Sequence, residues 1–307
     1  MRVIRQTTLR SPISFSGIGL HSGAPVVLTI RPAPANSGIV FVRTDGKGAP
    51  ARIPARHDHV VGTTMCTTLG LPGGPTIATV EHVMAALAGL GVDNALLEIA
   101  GPEVPAMDGS AAPYVAAIDR VGLTTLAPAR RRIRVLKPVT VTNGARSATL
   151  APASSFIAGC AIAYDGPPID RQSASFRITP RMFRGQIASA RTYGFLEDIQ
   201  SLHARGLVLG GSLDNAIVVG DRRVLNDGGL RYADEFVRHK ILDGIGDLAL
   251  AGAPIIGHFH GEASGHSLNH TLLRALFDDP TAFAVEVARE PAHAVAVAWA
   301  QPQFASI

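Results

Sequence analysis

The feature that most constrains the fold is a predicted helix that carries an imidazole and two carboxylates on one face. His239, Asp243 and Asp247 are spaced four residues apart, and side chains at that spacing lie above one another on an α-helix. His239 and Asp243 can therefore reach one metal ion together, but a third ligand has to come from elsewhere. The best candidate is His82, which follows Glu81 near the start of another predicted helix. The chain must then bring two helices that are distant in sequence into contact.

Three such ligands indicate a catalytic metal site. Zinc sites that carry out hydrolysis use three protein ligands and leave the fourth position to water, whereas structural zinc sites are closed by four ligands. Glu81 lies roughly a hundred degrees around the helix from His82, so it can act as a general base beside the metal. Ala86 and Ala78 exclude the His-Glu-x-x-His protease motif and its inverted form.

Taken one at a time, these residues have other interpretations. A histidine four residues before an aspartate on a helix is also typical of a surface pair or a helix cap. Two further stretches are rival metal pairs, because alternate residues of a strand share a face. They are His57 with His59, and His258 with His260. Neither pair has an obvious carboxylate base beside it.

Composition limits the kind of ligand and partner. The two cysteines, Cys66 and Cys160, are too few and too isolated for a disulfide framework or a Cys-x-x-Cys clamp, so a metal would be held by His and carboxylates. A net charge of +4 and a pI near 9.4 suit an anionic ligand such as a phosphorylated small molecule. A nucleic-acid-binding protein is the third alternative, but dispersed arginines and 5% aromatics argue against it, and we expect no nucleic-acid partner.

The length of 307 residues allows about two domains of roughly 150 residues each. No apolar run is long enough for a membrane span. The first residues lead straight into strand-like sequence without the apolar core of a signal peptide, so we expect a cytoplasmic protein.

The order of predicted elements repeats once along the chain. Alternating strands lead to a helix that begins with Thr79 as its N-cap and ends at Gly91. Strand-like sequence begins again after a linker near residue 130. The predicted fold class is α+β: two similar two-layer α/β sandwich domains, each a mostly antiparallel sheet packed on a helix pair. We expect the first domain at 1–127, with an insert near 45–77, and the second at 131–307, with a βαβ-like insert near 193–220.

Five motifs are distributed in order over nearly the whole chain: residues 79–94, 107–113, 190–195, 234–240 and 265–266. Together they closely resemble the UDP-3-O-acyl-N-acetylglucosamine deacetylases of Gram-negative bacteria.

The resemblance implies a role for each candidate site residue. It implies zinc bound by His82, His239 and Asp243, with Glu81 as the general base. It further implies His266 as the general acid, oriented by Asp247, and Lys240 and Thr192 around the developing oxyanion. Iron(II) is an alternative metal, since His and carboxylate ligands accept both.

The resemblance also implies that the second insert forms an apolar passage for an acyl chain. The substrate-binding residues expected from it are Tyr193, Phe195, Ile199, Leu202, Leu207, Val208, Gly211, Ser212, Ala216 and Val218. One loop departs from the family pattern: relatives often have Phe-x-His-Pro where this chain has residues 164–168, which lack the imidazole. No nucleotide contacts are therefore assigned to that loop.

The expected function is zinc-dependent removal of acetate from UDP-3-O-(3-hydroxyacyl)-N-acetylglucosamine, the committed step of lipid A biosynthesis, by a monomeric enzyme. The alternative is a zinc amidase that acts on another N-acetyl sugar or amide.

Overall fold

The computed structural model describes residues 2–46, 49–164, 166 and 168–290. Asp165 and Pro167, in the loop of residues 164–168 that differs from the family pattern, lie outside the described residues, as do residues 291–307 of the second predicted domain. Over the described residues the chain confirms the predicted class, an α+β fold of two sandwich domains. The boundary between residues 127 and 131 stays a prediction.

Both helices and strands occur along the described residues. The α-helices are α1 (Glu81–Leu90), α2 (Ala112–Val121), α3 (Pro180–Met182), α4 (Ile199–Ala204), α5 (Glu235–Ala249) and α6 (His266–Asp278). The strands are β1 (Arg2–Val3), β2 (Arg5–Leu9), β3 (Ile13–Ile18), β4 (Pro25–Pro32), β5 (Ile39–Arg43), β6 (Ala51–Pro54), β7 (Val60–Gly62), β8 (Thr68–Gly70), β9 (Thr76–Ile77), β10 (Ala95–Ala100), β11 (Leu123–Ala129), β12 (Arg131–Val135), β13 (Val139–Asn143), β14 (Arg146–Ala151), β15 (Phe156–Ala163), β16 (Arg171–Arg177), β17 (Tyr193–Phe195), β18 (Ile217–Gly220), β19 (Arg223–Val224), β20 (Ile255–Glu262), β21 (Phe283–Val287) and β22 (Arg289–Glu290).

The first sheet has the strand order β3-β4-β10-β5-β6. All its pairs are antiparallel except β10 beside β5. Leu28 and Ile30 of β4 and Leu97 of β10 are fully buried, because alternate residues of a strand face the same side of the sheet. They form one core with Val83 and Leu87 of α1. The insert before α1 adds a separate three-stranded sheet, β7-β8-β9.

The second sheet has the order β13-β14-β20-β12-β21, with β15 beside β20 and β16 beside β15. Its central strand β20 pairs in parallel with β12 and β15 and antiparallel with β14. Phe259 of β20 is buried and contacts α5 beside Gly244, while His258 and His260 lie half-buried on the opposite face. The strands β17 and β18 of the second insert pair in parallel with α4 between them, which forms a small βαβ unit.

Helix α1 ends as its sequence predicts but does not begin that way. Gly91 takes the left-handed conformation (φ 76°) that glycine favours at a helix end. Thr79, however, is not the N-cap, which is Val80; the Thr79 hydroxyl donates to Glu103 instead (2.7 Å). The expectation of a Thr79 cap was therefore wrong, because a tertiary hydrogen bond takes the side chain that a local cap would have used.

Helix α1 is buried on nearly all sides, because it lies between its own sheet and α5. The two helices approach closely where Gly246 faces the backbone of Glu81: a methyl group at Gly246 would lie 2.7 Å from the Glu81 carbonyl carbon. This approach places the first turn of α1 beside the C-terminal part of α5. Within the described residues, no helix combines the length and apolar character needed to cross a bilayer.

Residues 2–9 join the two parts of the fold. Strand β2 pairs with β11, and β1 pairs with β22 near the end of the described chain. Between them, the Ile4 amide donates to the Ala288 carbonyl (2.9 Å) and the Arg130 amide donates to the Ile4 carbonyl (2.8 Å).

Substitution of Gly246 by Ala is expected to destabilise the protein. The added methyl group overlaps a backbone carbonyl, and such overpacking costs about 1–3 kcal/mol, while alanine regains up to about 1 kcal/mol of helix propensity. We expect a net loss of about 1 kcal/mol in the free energy of unfolding, measured by denaturant titration. Gly185→Ala is the control, since a methyl group there meets no heavy atom of the described residues within 4 Å. Equal stabilities of the two variants would contradict the close approach.

Candidate active site

Three buried side chains from α1 and α5 converge at the contact between these helices. The Nε2 atom of His82 lies 3.6 Å from Oδ1 of Asp243, and Nε2 of His239 lies 3.3 Å from the same oxygen. One ligand atom from each residue lies within 4.8 Å of the other two. The fold thus brings together all three residues that were predicted to hold a metal.

His239 has the protonation and orientation that a metal ligand needs. Its Nδ1–H donates to the Ala190 carbonyl (3.0 Å), which leaves the lone pair of Nε2 directed towards Asp243. Burial lowers the pKa of His239 to about 3, in spite of the nearby Asp243 carboxylate. The imidazole is therefore neutral at physiological pH, as metal coordination requires.

Asp243 supplies an anionic oxygen that nothing in the described structure satisfies. Burial raises its pKa, but His239 and Lys240 outweigh burial and hold the pKa well below its usual range. Its Oδ2 accepts a hydrogen bond from Nζ of Lys240 (2.8 Å). Its Oδ1 is buried and has no hydrogen-bond partner among the described residues. A buried charged oxygen without a partner is costly, and a divalent cation shared with two imidazoles fits this donor set.

Glu81 lies beside this cluster with one oxygen held and the other directed towards His266. Its side chain is 3% exposed, and Oε2 accepts the backbone N–H of Thr67 (3.1 Å). Its Oε1 lies 3.9 Å from Nε2 of His266. Burial raises the pKa of Glu81, against the opposing effect of His266 and His82, so this carboxylate is a stronger base than an exposed one.

His266 is held by a second buried carboxylate. Its Nδ1–H donates to Oδ2 of Asp247 (3.0 Å), which also accepts from Nδ2 of Asn269 (2.9 Å). The other oxygen of Asp247 accepts the Thr67 hydroxyl (2.6 Å). Burial opposes the charged imidazole, but the carboxylates of Asp247 and Glu81 outweigh it and raise the pKa of His266 to about 10. The imidazolium can therefore donate a proton from Nε2 near neutral pH.

Sequence reasoning missed two residues of this network. Thr67 binds both Glu81 and Asp247, yet it lies in a Gly-, Pro- and Thr-rich insert where no pattern distinguishes it. Asn269 did have a signal, because it follows His266 by three residues on α6 and therefore shares its helix face.

An ion pair fixes the 190–195 segment against α5. Arg191 is buried, and its guanidinium donates to both oxygens of Glu235 (2.9 and 3.1 Å). The same carboxylate accepts the Arg191 amide (3.0 Å). This pair positions the Ala190 carbonyl over His239 and directs Thr192 into the cavity.

A cavity of about 710 Å³ opens beside the cluster and continues along the second insert. Predicted site residues that line it are Glu81, His82, Thr192, Tyr193, Phe195, Ile199, Leu202, Val208, Gly211, Ser212, Ala216, Val218, His239, Lys240, Asp243 and His266. Leu207 is not among its lining residues. Leu20 and His21 of the turn after β3 also line it, although nothing in the sequence indicated them.

In the loop of residues 164–168, which differs from the family pattern, Tyr164 lines the cavity. Its hydroxyl lies 3.0 Å from the hydroxyl of Tyr193, and both rings line the cavity. Lys240 lies against the face of the Tyr193 ring, 5.6 Å from its centroid. An aromatic pair therefore occupies this side of the cavity.

The rival histidine pairs do not form comparable sites. His57 stacks on Phe277 (4.4 Å between ring centroids). The rings of His258 and His260 are 6.4 Å apart. Within the part of the chain that the structure describes, neither pair gathers a third ligand residue at metal-binding distance.

Three metal-type ligands line one cavity, and beside them lie the buried carboxylate of Glu81 and the imidazolium that Asp247 holds. This arrangement is typical of a metal-dependent hydrolase. Comparison with known proteins narrows this class. The family model of LpxC, UDP-3-O-acyl N-acetylglycosamine deacetylase, matches residues 6–278. The chain belongs to this family.

Relatives from several bacteria are similar over almost their full length. A UDP-3-O-acyl-N-acetylglucosamine deacetylase of Myxococcus xanthus is 49% identical over 92% of this chain and 90% of its own. A protein of the same name from Geobacter sp. is 47% identical over 92% of both chains. Another from Chromohalobacter salexigens is 44% identical over 99% of this chain and 100% of its own. The family predicted from the motifs is confirmed.

Replacing Asp247 by Asn is expected to lower the pKa of His266 from about 10. The carboxylate favours the charged imidazole, and an amide does not. In the parent protein the raised pKa of His266 stabilises the fold fully below pH 6.5, and this contribution is lost as the pH rises towards 10. In the variant, this contribution to the free energy of unfolding should be lost at a lower pH. NMR titration of the His266 ring in chelator-treated protein measures the shift. Asp278→Asn, at the exposed far end of α6, is the control, and an unshifted His266 in Asp247→Asn would contradict the assignment.

Proposed function

We propose that this protein removes the N-acetyl group of UDP-3-O-(3-hydroxyacyl)-N-acetylglucosamine, releasing acetate in the committed step of lipid A biosynthesis. The names of the similar proteins support this substrate. The observation that carries the proposal is the placement of a base and an acid beside three metal-type ligands, at the end of a cavity that continues into an apolar passage. The proposal keeps the cytoplasmic location and the monomeric state predicted from the sequence.

His82, His239 and Asp243 would hold the metal, which we propose to be zinc, with iron(II) as the alternative. Two imidazole nitrogens and a carboxylate oxygen suit both metals. When bound, such an ion supplies Lewis acidity, which polarises an amide carbonyl and makes water easier to deprotonate. The neutral His239 and the unpartnered oxygen of Asp243 support this assignment.

Two proton transfers are assigned to Glu81 and His266, whose Oε1 and Nε2 atoms lie 3.9 Å apart beside the metal-type ligands. Glu81 accepts a proton from the attacking water through Oε1, because Oε2 is held by the Thr67 amide. His266 donates its Nε2 proton to the departing nitrogen, while Asp247 holds Nδ1 and fixes the orientation of the ring. The C–N bond breaks, and acetate and the free amine leave.

Lys240 and Thr192 are proposed to stabilise the developing oxyanion. Both line the cavity. Burial opposes the charge of Lys240, but Asp243 and the neighbouring tyrosines outweigh burial and raise its pKa above the usual value of 10.5. The ammonium therefore stays protonated throughout the working range of pH, and a fixed positive charge is suited to stabilise negative charge that appears only in the transition state.

The passage along the second insert supports an acylated substrate. Ile199, Leu202, Val208, Ala216 and Val218 line it, and an alkyl chain gains roughly 0.8 kcal/mol for each buried methylene group. A metal amidase for another N-acetyl sugar would have no use for this surface.

Metal analysis together with acetate release tests the proposed function. We expect the purified protein to contain a stoichiometric divalent metal. The acylated UDP-sugar should be deacetylated with a kcat/KM about a hundredfold or more above that of UDP-N-acetylglucosamine, because only the acylated sugar fills the passage. Equal rates on both sugars would favour the alternative amidase, and a metal-free preparation that remains fully active after chelation would contradict the metal assignment.

Substituting Glu81 by Gln is expected to lower turnover by about a hundredfold or more, because a general base of this kind contributes that much. The amide keeps the shape of the side chain and an oxygen for the Thr67 amide, so metal content should not change. Glu98→Gln is the matched control, since Glu98 is a partly exposed residue paired with Arg31 on the first sheet. Near-normal turnover of metal-loaded Glu81→Gln would show that another group accepts the proton.

A further inference from the structure

Two segments that are far apart in sequence meet at the wall of the apolar passage. They are the turn 19–23 after β3 and the tip 208–211 of the second insert, which together are called the latch. The Leu209 amide donates to the His21 carbonyl (3.0 Å), and the Gly210 amide donates to the Leu20 carbonyl (3.0 Å). The second insert is thus hydrogen-bonded, backbone to backbone, to the part of the fold that carries α1.

The latch needs glycine at its point of closest approach. A methyl group at Gly210 would overlap the carbonyl oxygen of Gly19 and would lie 3.1 Å from the Cα atom of Gly23. Both neighbours are backbone atoms, which cannot move aside as a flexible side chain can. Gly23 itself has a φ of 64°, a left-handed conformation that favours glycine.

Both sides of the latch line the cavity. Leu20 and His21 contribute from the turn, and Val208 and Gly211 contribute from the tip. Val208 has a φ of 59°, which a β-branched residue rarely adopts unless its surroundings impose it. The latch therefore holds Val208 in an otherwise unfavourable conformation at the passage wall.

A buried carboxylate, that of Glu103, links the latch to the start of α1 by hydrogen bonds. Glu103 is 1% exposed, and among the described residues it makes no ion pair. It accepts the amides of His21 (2.9 Å) and Ser22 (2.8 Å), and the hydroxyl of Thr79 (2.7 Å). Thr79 precedes Glu81 by two residues, so one side chain fixes both the turn of the latch and the entry into α1.

We propose that the latch determines acyl-chain specificity. It keeps the passage wall packed around the alkyl chain and at a fixed position relative to α1, which carries Glu81. This inference rests on the proposed function. Opening the latch should weaken the binding of a long acyl chain, whose methylene groups contact the wall, and should leave reaction of a sugar with only a short acyl group unchanged.

Gly210→Ala tests the inference with two substrates that differ only in the length of the 3-hydroxyacyl chain. We expect the KM for the long-chain substrate to rise about tenfold, which corresponds to the lost burial of about two methylene groups. The KM and kcat for the short-chain substrate should stay within about twofold of the parent protein. Gly228→Ala is the matched control, because within the part of the chain that the structure describes a methyl group there meets no heavy atom closer than 4 Å.

Glu103→Gln provides a second variant that adds no atoms, in case Gly210→Ala does not fold. Its amide oxygen can still accept hydrogen bonds on one side, but its NH2 group faces a donor whose hydrogen bond Glu103 accepts, and the charge that strengthens the bonds is lost. The same chain-length-dependent rise in KM is therefore expected. Equal KM changes for both substrates, no change, or the same change in Gly228→Ala would overturn the inference. Failure of the parent protein to release acetate from either substrate would instead contradict the proposed function.

Discussion

The contact between α1 and α5 is the interaction on which the site depends. Gly246 lets the two backbones approach, and this approach sets the distance between His82 on one helix and His239 with Asp243 on the other. Neither helix alone carries all three of these side chains, so the cluster forms only where the two helices meet. The close packing of two nearly fully buried helices therefore provides the rigidity that a preorganised site requires.

Several acidic side chains are buried together here, and the surrounding hydrogen bonds make this tolerable. Burial raises the pKa of Glu81, and the nearby carboxylates of Asp247 and Asp243 add to this increase. Thr67 relieves the repulsion by donating to two of these carboxylates, and His266 lies between Glu81 and Asp247 as a cation. Such an arrangement lowers stability in exchange for reactivity, since buried charges recover their desolvation cost only when each is well paired. The apolar core around it supplies the stability that the site lacks.

Periodic patterns in the sequence predicted those features of the fold and site that local backbone geometry determines. The four-residue spacing of His239 and Asp243 and the glycine after α1 are direct consequences of helix geometry, and the α+β class followed from the alternation of elements. The Thr79 cap failed, and neither the hydrogen bonds of Thr67 and Glu103 nor the close approach at Gly210 was predicted, because these roles depend on partners far away in the chain. Glu103 contacts a turn more than eighty residues earlier, and no local signal encodes such a partner. The exclusion of Leu207 from the cavity lining likewise depends on how the insert packs rather than on residue type.

The pairing of residues 2–9 with β11 and β22 has a consequence for biosynthesis. Strand β1 finds its partner only at Arg289 and beyond, and the imidazole of His266 also belongs to the late part of the chain. A ribosome-bound intermediate that has exposed only the first half therefore lacks the partner of β1 and has an incomplete catalytic centre. Because contacts of such long sequence separation form slowly, we expect the catalytic centre to be completed only after α6 has been translated.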